Sequence, residues 1–359
     1  MKKTLVAIAA LSAISAFAQS SVTLGGTVDV RLAIGNGSTA NRTALANNGI
    51  ASSQFRFVGV EDLGGGLKAG FHLEAGFNPD DGTGSASTST NQAVSAFNPV
   101  TGANAAVRSG TQGFTFNRRS TLSLLGGFGE VRLGRDYTPH FWNHTFYDPF
   151  GTNGVGSSMA LTGAAGGLVT VRASNTIGYL SPNFGGFSGQ IQTYFGENAS
   201  NAAAPAGSNA GSGSSLRVGY AQGPISVGLA WGRTNTSVST DTTSTNIGGS
   251  YDLGIVKLMG LYTKDANTGA NDVNGWLFGV TAPLGSGTAK AAFSQTDNGV
   301  NGVAKQFAVG YVYDLSKRSS MYATLATVNN SNTAIALNGA ITKVGDGSTG
   351  FDIGVKHSF

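Results

Sequence analysis

Arginine is the residue type whose spacing points to chemistry in this chain, and that chemistry is electrostatic. In "SSQFRFVGV", Phe55 and Phe57 share one face of an extended ribbon, while Ser52, Gln54 and Arg56 share the other. In "SVTLGGTVDVRLAI", Val22, Leu24, Val28, Val30, Leu32 and Ile34 fall on one side. Ser21, Thr23, Thr27, Asp29 and Arg31 fall on the opposite side. In "RASNTIGYL", Ile177 and Tyr179 oppose Arg172, Ser174 and Thr176. A row of guanidiniums on the polar face of a strand attracts anions without any covalent step.

Covalent and metal chemistry have little to work with. The absence of cysteine excludes a disulfide framework, a Cys-ligated zinc and a thiol nucleophile. His140 and His144 are spaced to pair on a helical turn as metal ligands, but no third ligand is evident, so they read as loop or interface residues. Of the other histidines, His72 lies mid-strand on a polar face, and His357 lies near the end of the chain. The runs "LGGGLKAG" and "GGFGEVRLG" sit in hairpin turns, with no following helix or placed Lys-Ser/Thr to cradle phosphate. No GxSxG elbow occurs. Neither an enzyme nor a cofactor is expected. The formal charge of +4 is mild and no Lys/Arg run is present, so no nucleic-acid partner is expected.

The elements that must carry these arginines are strands. Only 11% of the 359 residues are charged, glycine is abundant at 55 and proline scarce at 8. Alternating runs near 21–34, 52–61, 67–78, 113–125, 129–138, 171–181, 187–197, 214–222, 224–235, 243–252, 255–264, 273–282, 287–296, 304–314, 319–329 and 349–359 make about sixteen strands. Ten-residue alternating segments suit tilted strands crossing a bilayer. Short connections such as "EDLGGG", "GGFG" and "YDLG" alternate with long polar ones, including 35–51, 79–112 and 139–170. That asymmetry is expected of a barrel with short periplasmic turns and long extracellular loops. A β-helix would show a short repeat, and none is found.

The N-terminus reads as a signal peptide over residues 1–18. Lys2 and Lys3 precede an apolar run, and Ala16-Phe17-Ala18 supplies a small-x-small cleavage pattern. The mature chain is expected to begin at Gln19, and residues 19–359 to form one barrel domain. After Gln19 no apolar run is long enough for a spanning helix, so a closed barrel is the remaining spanning solution.

The stretches "QSSVTLGGTVDV", "GVEDLGGGLKAGFHLEAGF", "NRRSTLSLLGGFGEVRLGRDYTP", "RASNTIGYLSP" and the terminal "GVKHSF" together resemble Gram-negative general-diffusion porins of the betaproteobacterial type. The resemblance implies a sixteen-stranded outer-membrane barrel forming homotrimers among the outer-membrane lipids, with its third extracellular loop folded into the pore. It also implies that the barrel-assembly machinery reads the C-terminal strand through Phe359. Residues 139–170 are then the constriction loop, and Asp148 is its single acid.

The charges of that pore follow partly from parity and partly from the resemblance. An arginine on the lipid face at mid-membrane costs about 2–4 kcal/mol, so Arg56, Arg31 and Arg172 belong in the lumen. Glu74 lies on the polar face of 67–78 as a further candidate lining residue. Alternation groups Arg119 with Thr115, Asn117, Thr121 and Ser123, whereas the resemblance puts the luminal arginine at Arg118. Arg118 is the expected lining residue, and Arg119 its alternative. Arg135 shares parity with Val131 and Leu133, yet the resemblance makes it an eyelet arginine. With Asp148 the lone loop acid facing them, the arginines should favour anions. A pair of unit charges at about 4 Å interacts by about 1 kcal/mol in water and about 4 at an effective dielectric of 20. The expected function is passive diffusion of small hydrophilic solutes, with anion preference. The alternatives are a channel specific for phosphate or a small carboxylate, or a non-conducting surface or adhesin barrel.

Overall fold

The computed structural model describes residues 21–84, 96–98, 103–105, 115–164, 171–201, 208–236, 241–267, 272–299 and 302–359. The expected signal peptide, 1–18, lies outside these residues. The strands are β1 (Ser21–Gly37), β2 (Arg42–Asn47), β3 (Gln54–Gly64), β4 (Leu67–Gly76), β5 (Ala96–Asn98), β6 (Ala103–Ala105), β7 (Arg119–Gly126), β8 (Gly129–Tyr137), β9 (Arg172–Leu180) and β10 (Phe187–Tyr194). They continue as β11 (Gly213–Gln222), β12 (Ile225–Asn235), β13 (Asp241–Asp252), β14 (Lys257–Asn267), β15 (Val273–Leu284), β16 (Gly287–Asp297), β17 (Val303–Asp314), β18 (Ser319–Ser331) and β19 (Ser348–Ser358). Two short helices, α1 (Pro139–Phe146) and α2 (Met159–Ala164), lie between β8 and β9.

Apart from the separate β5–β6 hairpin, seventeen strands form one antiparallel sheet that closes on itself. β2 pairs with the upper half of β1 and β3 with its lower half, so those two make one stave of a sixteen-stave barrel. Closure comes from β1 and β19, in register from Thr27↔Ser358 to Gly37↔Ser348. The backbone of Phe359 exchanges both hydrogen bonds with Gly26, at 3.0 and 3.1 Å. A side chain at Gly26 would collide with the Phe359 ring. Closure leaves no sheet edge, as hydrocarbon requires.

The pleat sorts the side chains as alternation predicts. Val22, Leu24, Leu122, Leu133, Ile191, Leu229, Phe278 and Ile353 are exposed on the outside, while Thr27, Thr121, Ser123, Gln192 and Asn246 are buried inside. The buried apolar cluster lies within the barrel. Tyr147, Phe150, Val155 and Leu161 of the β8–β9 connection pack on Leu261, Leu277, Ala292, Ala308 and Ala326 of the inner wall. Because the apolar belt faces lipid, the core is small and fastens one loop to one side.

Candidate functional site

The connection after β8 folds into the lumen, as the constriction loop should. Pro139 sits in the first helical turn, where its fixed φ is preorganised and its missing N–H costs nothing. Asp148 precedes Pro149, and the residue before proline disfavours helix, so α1 stops at Phe146. The buried face of α1 carries His140, Phe141, Asn143 and His144. His140 Nδ1 lies 2.9 Å from Ser215 Oγ, and Asn143 Nδ2 donates to Asn246 Oδ1 at 2.7 Å and to the Gly228 carbonyl at 3.1 Å.

A track of glycines in the wall makes room for the loop. A Cβ at Gly232 would strike His140, at Gly228 Asn143, at Gly248 Tyr147, at Gly279 Pro149 and at Gly350 Val155. The track runs from β12 to β19. Beyond Phe150 the loop is tied down by Val155, whose N–H donates to Asp352 Oδ2 at 2.8 Å and whose carbonyl accepts from Gln306 Nε2 at 2.9 Å. The Gly154 N–H donates to the Asn48 carbonyl at 2.9 Å. The loop therefore covers the β11–β19 side and leaves β3, β4, β7, β8 and β9 facing the open passage.

That open side is the arginine wall. Arg56 pairs in register with Gly25 on one side and Glu74 on the other, on the inward face. Arg118 Nε donates to Glu74 Oε1 at 2.6 Å and to Gln54 Oε1 at 3.0 Å. Arg118 also donates from Nη2 to the Tyr137 hydroxyl, which accepts from Arg172 Nη2 at 2.5 Å. The Tyr137 ring lies 4.2 Å from Arg172 Cζ and 5.8 Å from Arg118 Cζ. Among the described residues no carboxylate forms an ion pair with Arg56 or Arg172.

Both members of the Arg118/Arg119 alternative point inward. Arg119 starts β7 and keeps strand parity, reaching Asp136 at 3.3 Å and His72 Nδ1 at 3.2 Å. Arg118 precedes the strand, where parity no longer binds it. Arg135 is turned inward against its parity by a break in the ladder. Gly134 has φ 119°, and opposite Arg135 two residues of β9, Ser174 and Asn175, bulge between the pairs Gly134↔Thr176 and Asp136↔Ala173. Arg135 then donates from Nε to the Asn117 carbonyl and from Nη1 to Ser174 Oγ, each at 2.6 Å.

Two expected residues hold the barrel rather than stand across the passage. Arg31 forms an ion pair with buried Asp352 and donates to Asn338 Oδ1 and the Asn47 carbonyl, both at 3.1 Å. Asp148 is a correction to the sequence reading, because it does not face the arginines. Only 3% exposed, it accepts from the N–H of Phe150 at 2.8 Å, and from the N–H and Oγ of Ser158 at 3.0 and 2.7 Å. A carboxylate accepting several bonds from its own loop is a staple of that loop.

Sequence reasoning passed over three groups. Tyr137 bridges Arg118 and Arg172. Arg132, on the inward face of β8, bonds Glu130 and Asp136 and so carries little free charge. Arg217, under α1, donates to Asn143 Oδ1 at 2.9 Å. Arg132 and Arg217 followed inward-facing positions in their strands, which was the available signal, whereas Tyr137 shares the parity of Val131 and Leu133 and lies past the break at Gly134, so alternation did not report it. His140 and His144 are both buried, and no group of three or more potential metal ligands occurs among the described residues. Burial pushes His140 down to about 3, with His144 adding to the shift. His144 is lowered by burial as well, against the opposing charge of Asp148.

A closed barrel of this size, narrowed by an inward loop, is a channel architecture. A family model described as Gram-negative porin matches residues 4–333. Outer membrane porin protein 32 of Delftia acidovorans is 36% identical across 100% of both chains. An outer membrane porin protein of Bordetella pertussis is 27% identical across 100% of both. Among solved structures, an anion-selective porin from Comamonas acidovorans is 34% identical, with a TM-score of 0.80 over 95% of this chain and 100% of that one. The chain belongs to the Gram-negative porins. It is an outer-membrane porin, and its barrel forms a pore across that membrane.

Proposed function

We propose that this porin is a passive diffusion channel, not an enzyme, and that it favours small anions through Arg56, Arg118, Arg135 and Arg172. The observation that carries the reading is the sidedness of the eyelet. Guanidiniums line the open wall, while the loop's single acid, Asp148, is spent on the loop's own backbone. The solved relative described as anion-selective supports the same direction. A unit charge in a constriction narrower than the Debye length of about 10 Å at 0.1 M salt still acts on a passing ion. Selectivity then needs only width and lining charge, with no cofactor or energy source.

The same reading includes a homotrimer in the outer-membrane lipid, removal of residues 1–18 on export, and recognition of the C-terminal strand ending in Phe359 by the barrel-assembly machinery. Swelling of liposomes carrying the purified protein tests the transport step. A small organic anion should enter faster than a cation of equal size. Equal entry, or faster entry of the cation, would overturn it.

A further inference from the structure

One face of α1 is turned to the water of the passage, and it is aromatic. Trp142 is half-buried, and Phe146, four residues on, is 51% exposed. Both oppose the face that packs on the wall. Their rings form a continuous series with Tyr137. The Tyr137 and Trp142 centroids are 4.8 Å apart, and those of Trp142 and Phe146 are 5.7 Å apart with the planes inclined by only 22°. A guanidinium stands at each end. Arg172 lies over Tyr137 at 4.2 Å, with Arg118 on the same hydroxyl, and Arg217 lies over Phe146 at 4.9 Å.

We propose that this series is a binding track for small planar aromatic carboxylates, of the benzoate class. The inference deepens the reading of the pore as anion-favouring and rests on it. A flat ring can pack against the exposed part of the Phe146 ring, edge-to-face or offset, in the span between the two guanidinium ends of the series. The carboxylate of the same molecule meets a guanidinium edge, which offers parallel N–H donors. An aliphatic carboxylate of equal charge gains the second contact and not the first. Neutral hydroxylated solutes would need acceptors as well as donors, and guanidiniums supply donors only.

The test is block of chloride current through single channels in planar membranes, with sodium benzoate compared with sodium acetate. Benzoate should block saturably, at a half-blocking concentration about tenfold below that of acetate, the ratio one to two aromatic contacts produce. In the double variant Trp142→Leu, Phe146→Leu the two half-blocking concentrations should come within about twofold. Phe146→Leu alone, at a half-exposed position, should close part of the gap, and it serves if the double variant does not insert. Equal block by the two anions in the wild type would overturn the track, as would discrimination that survives in the leucine variants. Benzoate and acetate carry the same charge, so the result is separable from anion preference. A zero-current potential in a KCl gradient, measured on the same membranes, reads that preference alone.

Discussion

Arg118 Nε donates to Glu74 Oε1 at 2.6 Å, so part of the positive charge of the eyelet wall is cancelled on the wall itself. His72 Nε2 lies 3.2 Å from the other oxygen of Glu74, and Arg119 reaches the far side of the same histidine. The wall is a graded arrangement. Its paired members hold the strands together, while Arg56 and Arg172 have no carboxylate partners among the described residues, and in the proposed reading theirs is the charge a passing ion meets.

Glu74→Gln should therefore make the pore more anion-selective. One negative charge leaves the eyelet while Arg118 keeps its bonds to Gln54 and Tyr137. With a unit charge worth about 1–4 kcal/mol at about 4 Å before screening, the anion-to-cation permeability ratio should rise several-fold. The zero-current potential in a KCl gradient measures it, and a fall in the ratio would show that the carboxylate does not face the ion path.

Asp148→Asn should act through the loop and leave selectivity nearly unchanged. The buried carboxylate accepts from Phe150 and Ser158, and the amide would set an N–H₂ against at least one of those donors. Loss of such a charged bond costs about 1.5–3 kcal/mol, enough to loosen the loop without unfolding the barrel. The expected signature is noisier open-channel current with an unaltered zero-current potential. A large move toward anion selectivity would return Asp148 to the ion path.

Low pH should unseat the loop. His140 is held neutral by burial, its pKa pushed down to about 3 from an ordinary 6.5, and His144 shifts the same way. Above about pH 6.5 neither the seated nor the released loop binds a proton at His140. As pH falls below that, the released form takes up the proton and the seated form does not, so seating weakens progressively toward about pH 3. Current fluctuations should grow between pH 7 and pH 4, and grow less in His140→Gln. Identical fluctuations across that range would contradict the burial argument.

The staves of the barrel were legible because a strand with lipid on one face and water on the other must alternate, and the runs near 52–61, 187–197 and 287–296 do so plainly. β2 was not, since "RTALAN" is short and weakly patterned and borrows its partner from the upper half of β1. Parity served Arg56 and Arg172. It failed at Arg135, where the ladder breaks at Gly134 and Asn175; the asparagine, at φ 59°, was the readable sign, since that residue tolerates the left-handed region. The direction of Asp148 was hidden because its donors are largely backbone N–H groups of its own loop, which no side-chain pattern reports. The seat of that loop was partly visible: His140, Asn143, His144 and Tyr147 have helical spacing, and the glycines that receive them stand at inward positions of their strands.

The central claim is that guanidiniums without carboxylate partners on the open wall set the charge preference of the pore. The zero-current potential across a planar membrane in a tenfold KCl gradient tests it most directly, for the wild type and for Arg56→Ala combined with Arg172→Ala. The account predicts an anion-selective potential in the wild type that falls substantially toward zero in the double variant. A cation-selective wild type, or a double variant indistinguishable from it, would contradict the account.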